Sequence, residues 1–185
     1  MPMGACAMFT PRLAALLLIS SPAIAAGPGL GTPVTPAELA AWNINVQPDG
    51  TNLPPGSGTM AQGAAIYAQK CQHCHGENGK GGNNAALVGG APIKDMNSTR
   101  TIANFWPYST TVFDYIRRAM PWTQPRSLTN DEVYALTAYI LAQNKIIGEK
   151  DVMNAQTLPR VKMPNREGFM PRFPQLLPQG AHKDL

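Results

Sequence analysis

A chain of 185 residues with 44% hydrophobic side chains has the size and apolar content of an ordinary single domain. Its 17 glycines and 18 prolines exceed the usual share, so much of the chain is expected as loop or extended coil. The net charge of +4 comes with no dense Lys/Arg block and no aromatic–basic interleaving, which argues against nucleic acid and leaves an acidic protein surface as the natural partner.

Arg12 precedes the apolar run Leu13-Ala14-Ala15-Leu16-Leu17-Leu18-Ile19, and Ala23-Ile24-Ala25 fits a small-residue cleavage site. Residues 1–26 therefore read as a cleaved signal peptide, with a periplasmic destination. The alternative, a membrane anchor, needs ~20 apolar residues, and no span is expected after cleavage. Cys6 would leave with the signal, so Cys71 and Cys74 remain.

Residues 27–58 form an arm rich in Gly, Pro, Thr and Asn. Thr35, Pro36 and Glu38 supply a capping box for one short helix ending near Trp42. Turn chemistry then dominates, through Pro48, Asp49-Gly50, Pro54-Pro55 and Gly56. The arm is either a flexible linker or docked on the domain. Leu39, Trp42 and Ile44 favour docking, because an unattached linker rarely carries such apolar weight.

A compact domain is expected over 59–148. Its first helix covers 60–70, with Gly63, Tyr67 and Cys71 on one face. A helical Gly costs about 1 kcal/mol against Ala, which close approach by another helix would repay. Residues 76–100 read as a Gly/Asn-rich loop. A second helix follows over 111–118, carrying Val112, Phe113 and Ile116 and stopped by Pro121. A third starts at the Thr129-x-x-Glu132 capping box, runs on the stripe Val133, Leu136, Ile140, and ends around 145–148. Residues 149–185 are a Pro-rich tail without periodicity, expected to be extended and to wrap through Val161, Phe169 and Phe173.

Cys71-Gln72-His73-Cys74-His75 is C-x-x-C-H, the attachment pattern for c-type haem. Two thioethers must reach two vinyl carbons on one haem edge, and a turn of this length sets their separation. The next residue, His75, then presents its imidazole to the iron. A thioredoxin-like pair would follow a strand, a zinc site would need four ligands where only His73, His75 and the distant His182 are available, and a plain disulfide leaves His75 unused. His73 reads as a solvated turn residue.

Met sulfur is a common second axial ligand in electron-carrying haem proteins. Three methionines precede proline: Met120, Met163 and Met170. Met120 is favoured, because it follows one helix, precedes another and has Pro121 to stiffen its loop, whereas Met163 and Met170 have little to fix them. Met60, Met96 and Met153 read as packing or surface residues. Phe105-Trp106-Pro107-Tyr108 and Trp122 are candidates for a haem pocket wall or simply for core. Arg100, Arg117, Arg118 and Arg126 are candidates for haem propionates or for solvated surface.

Together these motifs resemble class I c-type cytochromes. Gly63, Tyr67, Cys71, Cys74 and His75 look like that family's first helix running into the haem, and Leu136-Thr137-Ala138-Tyr139-Ile140 looks like its last. The resemblance covers about residues 59–147. It implies that the two helices cross at Gly63 opposite Tyr139, and that Met120 is the axial methionine. The family often places a Gly-Pro-x-Leu stretch after the haem motif, whose proline carbonyl accepts the proximal imidazole N–H. Here Leu87-Val88-Gly89-Gly90-Ala91-Pro92 stands in its place, which leaves that acceptor unassigned.

A narrower resemblance is to the cytochrome subunits of bacterial sulfite or sulfane dehydrogenases. It rests on Asp114 to Pro121, Leu128 to Ala135, Met163-Pro164-Asn165-Arg166 and Gln47-Pro48-Asp49-Gly50-Thr51.

The expected protein is all-α: a small cytochrome c domain with three main helices around one covalent haem and extended N- and C-terminal arms. It has one haem c on Cys71, Cys74, His75 and Met120, with His75 and Met120 on the metal, and it is an electron carrier with no catalytic residue of its own. The resemblance implies a molybdenum-containing sulfite/sulfane dehydrogenase subunit as donor, and a downstream cytochrome or oxidase as acceptor. The alternatives are a free soluble shuttle and a haem enzyme with an open sixth iron site.

Overall fold

The structure, a computed structural model, describes residues 31–170 together with 172 and 173. The signal segment 1–26 with Cys6 and Arg12, and the tail residues Pro171, Pro174, Pro178 and His182, lie outside the described residues.

The first helix, α1, is Pro36–Trp42, and both halves of the Thr35/Glu38 capping box form. It buries none of its residues: Leu39 is 58% and Trp42 80% exposed. The expectation that these two side chains dock the arm is therefore corrected. The arm is held instead further along, by Val46 and Leu53 packed half-buried on the core and by polar contacts. Val46 N–H donates to Asp114 Oδ1 at 3.4 Å, and Arg118 donates to Asn45 Oδ1 at 2.6 Å. The Tyr134 hydroxyl donates to the Pro54 carbonyl at 2.9 Å. Polar groups of the arm, a backbone N–H, a backbone carbonyl and a side-chain amide, thus find partners on the helices they cross.

A short strand, β1 (Ser57–Thr59), leads into α2 (Met60–Lys70), whose own capping box is Thr59 with Gln62. Two four-residue helices follow, α3 (Gln72–His75) and α4 (Ile102–Phe105). Then come α5 (Ser109–Ala119) and α6 (Asn130–Gln143), with the predicted Thr129/Glu132 box at the start of α6. Of the six helices described, α2, α5 and α6 have 11, 11 and 14 residues.

Packing of α2 on α6 positions everything else. Added to Gly63, a Cβ would collide with the Ala135 carbonyl oxygen and come 2.7 Å from Tyr139 Cβ, so the two backbones touch where only hydrogen fits. One turn on, the rings of Tyr67 and Tyr139 stack at 4.8 Å between centroids. Lys70 at the end of α2 pairs with Glu132 at the start of α6, at 3.0 Å. Beneath this crossing lies a core of Val112, Phe113, Val133, Tyr134, Leu136 and Leu141. The Phe113 and Tyr134 rings lie 4.4 Å apart. Each such fully buried side chain contributes about 1.5–3 kcal/mol of transfer free energy.

Two features depart from the all-α expectation with a trailing tail. Strand β2 (Val152–Asn154) pairs antiparallel with β1, placing Gly58 opposite Met153. A Cβ on Gly58 would run into the Ala135 backbone, so the sheet lies directly on α6. Beyond it, a 3-10 turn at Leu158–Arg160 drives Leu158 into the core, where Met163 joins it; both are essentially inaccessible. The expectation that little fixes Met163 is thereby corrected: it is core. The tail docks through Leu158 and Met163 as well as the half-buried Val161. Phe169 leans edge-on against Phe105 at 5.3 Å while half exposed, and Phe173 is exposed.

Candidate haem site

α2 ends at Cys71, whose N–H still bonds the Tyr67 carbonyl at 2.9 Å. The chain then turns at once into α3, which carries Cys74 and His75. Gly76 closes this turn at φ +78°, where a side chain would collide with the Lys80 carbonyl. Its own carbonyl accepts the buried Tyr67 hydroxyl at 2.9 Å, tying the turn back to the helix before it. The two cysteines are not joined to each other by a disulfide. Burial pushes the Cys71 thiol up to about 11, with Lys70 opposing and nearby Cys74 adding.

His75 is oriented by one contact: Nδ1 lies 2.9 Å from the Ala85 carbonyl oxygen. A carbonyl can only accept, so Nδ1 carries the hydrogen and Nε2 keeps its lone pair for a metal. The acceptor left unassigned in the sequence is thus Ala85, upstream of the 87–92 stretch.

Cys71, Cys74, His75 and Met120 all line one cavity of about 610 Å³. Met120 reaches it as the residue that ends α5, its N–H bonded to the Ile116 carbonyl at 3.1 Å. The walls are mostly apolar, from Ile102, Val112, Ile116, Leu136 and Ile140. Of the other methionines, Met163 and Met153 are buried elsewhere, Met60 packs half-buried on the core, and Met96 and Met170 are largely exposed. The cavity therefore selects Met120 among the three Met-Pro candidates.

The aromatic candidates divide. Trp106 and Trp122 line the cavity, whereas Phe105 and Tyr108 do not. Phe105 stacks with Phe169 and Arg100, and Tyr108 lies under the Arg166 guanidinium at 4.3 Å. Tyr115, not singled out in the sequence, contributes an edge-on partner for Trp106 at 5.5 Å and lines the cavity. Among the described arginines only Arg100 lines it; Arg118 is engaged by Asp114 at 2.8 Å and by Asn45. His73 is exposed. Sequence reasoning missed Lys70 and Ala85. Lys70 carries the signal of neighbouring the first cysteine, whereas Ala85 contributes a backbone oxygen that no side chain announces.

The donor set fits a haem. Two thiols and an imidazole with a fixed tautomer sit at one apolar cavity, together with a thioether sulfur from a separate element. No group of three or more His, Cys, Asp or Glu gathers among the described residues, so the side chains for a zinc tetrad are not assembled there.

Comparison with known proteins agrees. Residues 58–140 match the family described as cytochrome C oxidase, cbb3-type, subunit III. The fold superposes on a chain of the crystal structure of the sulfane dehydrogenase SoxCD from Paracoccus pantotrophus with a TM-score of 0.73. The two are 35% identical over 86% of this chain and 82% of that one. No curated protein matches. With more than four-fifths of such a relative spanned at this identity, and with the C-x-x-C-H turn at the rim of an apolar cavity, the chain belongs to the c-type cytochromes, a family defined by covalently bound haem c.

Proposed function

We propose that the protein is a periplasmic electron carrier with one haem c, and that it receives electrons from a molybdenum-containing sulfite/sulfane-oxidising subunit. The observation that carries the carrier reading is the shared cavity of His75 and Met120. Cys71 and Cys74 would hold the haem by thioethers, and His75 Nε2 and Met120 Sδ would take the axial positions. The haem supplies a one-electron couple between ferric and ferrous iron. The chain's own residues do the rest. The α2–α3 turn sets the thiol spacing, Ala85 orients the imidazole, and the apolar walls exclude water. With His75 and Met120 both holding the metal, the haem would offer a small substrate no open position, which separates this reading from an open-site haem enzyme. Arg100, the one cavity-lining arginine among the described residues, is placed for a propionate.

The likeness to SoxCD supports the partner, whose electrons would pass on to a downstream cytochrome or oxidase. The boundaries 59–148 for the haem domain, 27–58 for the arm and 149–185 for the tail belong to the same reading. So does cleavage of the signal 1–26. Among the described residues no helix is long and apolar enough to cross a membrane.

The test is made on protein from a host with haem-maturation machinery. Mature chain heavier by one haem, with a low-spin oxidised spectrum and a sulfur-to-iron band lost in Met120→Ala, supports the carrier. A high-spin spectrum that responds to cyanide or peroxide supports the enzyme instead. Co-purification with a molybdenum protein supports the fixed partner over a free shuttle.

A further inference from the structure

We infer that Asn144, the residue capping α6, is a positioning residue for the axial histidine and tunes the haem's reduction potential through the loop that carries Ala85. The inference rests on the proposed axial role of His75.

The Ala85 carbonyl is the hydrogen-bond partner of His75 Nδ1 among the described residues, yet Ala85 is exposed and no proline stands between Asn84 and Ala91 to stiffen its loop. Something else must hold that oxygen in place. Upstream, Asn84 N–H donates to the Cys74 carbonyl at 3.0 Å. Downstream, Leu87 N–H donates to the Gly79 carbonyl at 2.9 Å. These two bonds tie the loop only to the haem turn itself. Further along, Val88 is buried and the Thr101 hydroxyl donates to the Gly89 carbonyl, but the tie that reaches Leu87, nearest the acceptor, from the end of α6 is Asn144. Its Oδ1 accepts from Gly89 N–H at 2.8 Å, and its Nδ2 donates to the Leu87 carbonyl at 3.1 Å and to the Ile140 carbonyl at 2.9 Å. Both ends of one amide are used, across the sequence gap from the end of α6 to the loop. Ile140 lines the haem cavity one turn before. A plain helix cap needs only the Ile140 contact; the bonds to Leu87 and Gly89 fix the segment two residues beyond the histidine's acceptor.

The consequence follows from what the Nδ1–H bond does. Donation to a well-placed carbonyl raises the basicity of the other nitrogen, which favours the more oxidised metal. Letting the Ala85 carbonyl drift weakens that bond and disfavours ferric iron, so the midpoint potential rises. General loosening that admitted water to the cavity would favour the charged ferric form and lower it. The sign separates positioning from damage.

The experiment uses full-length holoprotein and compares wild type, Asn144→Leu, Asn144→Asp and Thr129→Ala, which removes the cap at the other end of α6. Two readouts are taken: midpoint potential, and the exchange rate of the His75 ring N–H by NMR in the reduced protein. Asn144→Leu is expected to raise the potential and to speed ring-proton exchange about tenfold, as for one lost hydrogen bond. Asn144→Asp keeps the acceptor for Gly89 but faces the Leu87 carbonyl with a second acceptor, and is expected to speed ring-proton exchange; its added negative charge lowers the potential on its own account, so only exchange is read for it. Thr129→Ala should lose stability and move neither. Asn144→Leu with wild-type potential and exchange, or with a lowered potential, overturns the inference while leaving the haem assignment standing. If Asn144→Leu fails to fold, Asn144→Asp decides by ring-proton exchange, and wild-type exchange there overturns the inference. A wild-type chain without haem overturns both readings.

Discussion

Gly63 and Ala135 touch backbone to backbone: a methyl group on Gly63 would occupy the space of the Ala135 carbonyl oxygen. This contact sets how close α2 and α6 come, and with it the distance from α6 to the turn that carries Cys71, Cys74 and His75. Gly63→Ala gains helix propensity, worth about 1 kcal/mol, but must push two backbones apart. Overpacking of this kind costs about 1–3 kcal/mol, and no rotamer change relieves a backbone clash. The net expectation is loss of stability in chemical denaturation, accompanied by a lower haem content per chain. A Gly63→Ala protein more stable than wild type would show that the helices separate freely.

Tyr67 donates to the Gly76 carbonyl from a buried position, and burial pushes its hydroxyl up to about 12, so it stays a neutral donor at any ordinary pH. Tyr67→Phe leaves the Gly76 carbonyl without that partner. A cost of about 1–3 kcal/mol is expected, since one buried acceptor goes unpaired. It is read as a shift in denaturation midpoint of the holoprotein.

Glu132 closes the α6 capping box and accepts from Thr129 N–H at 2.8 Å and from Lys70 at 3.0 Å. The Thr129 amide, first, and Lys70 hold its carboxyl below the ordinary 4.5. A depressed carboxylate stabilises the fold above its unfolded value, and that contribution disappears as pH falls through the folded value. Glu132→Gln should therefore destabilise at about pH 7, and the gap to wild type should close as pH drops below the carboxylate range. A gap that widens in acid would contradict this. The Lys70 pair is partly exposed and adds about 0.2–1 kcal/mol, reduced by salt.

The C-terminal tail and the N-terminal arm have different expected sensitivities. Leu158 is fully buried, so Leu158→Ala should cost about 2–5 kcal/mol. Trp42 is four-fifths exposed, so Trp42→Ser should change stability by no more than about 0.5 kcal/mol. Deleting residues 151–185 would remove β2, Leu158 and Met163 and strip the core. A stop after residue 169 is therefore the sound test of whether the tail engages a partner.

The sequence was most legible where local chemistry repeats a known device. The Thr35, Thr129 and C-x-x-C-H patterns mark α1, α6 and the haem turn because caps and thioether spacing are short-range demands. The length of α2 followed from helix formers bounded by Cys71. The β1–β2 pair was not legible, since strands of three residues have no room for alternation and Gly58 carries no side chain to signal a face. Leu158 and Met163 were missed for a related reason: a 3-10 turn and an irregular segment bury single residues at no fixed period. Met120 was found by its place between two helices, whereas Arg117, Arg118 and Arg126 could not be told from Arg100 until the cavity separated them. Ala85 shows the limit most plainly, because its contribution is a carbonyl that every residue possesses.

Strand pairing of Ser57 with Asn154 means that the haem-binding stretch begins and ends at neighbouring points. The arm from Val46 and the tail as far as Met163 cross this point to complete the core, so a segment spliced into a host loop, or recircularised with fresh termini in the exposed loop around residues 94–97, should keep its shape only if it carries both. The same adjacency makes both appendages leave from one edge, so a fusion there would tether the cytochrome while leaving its far side open.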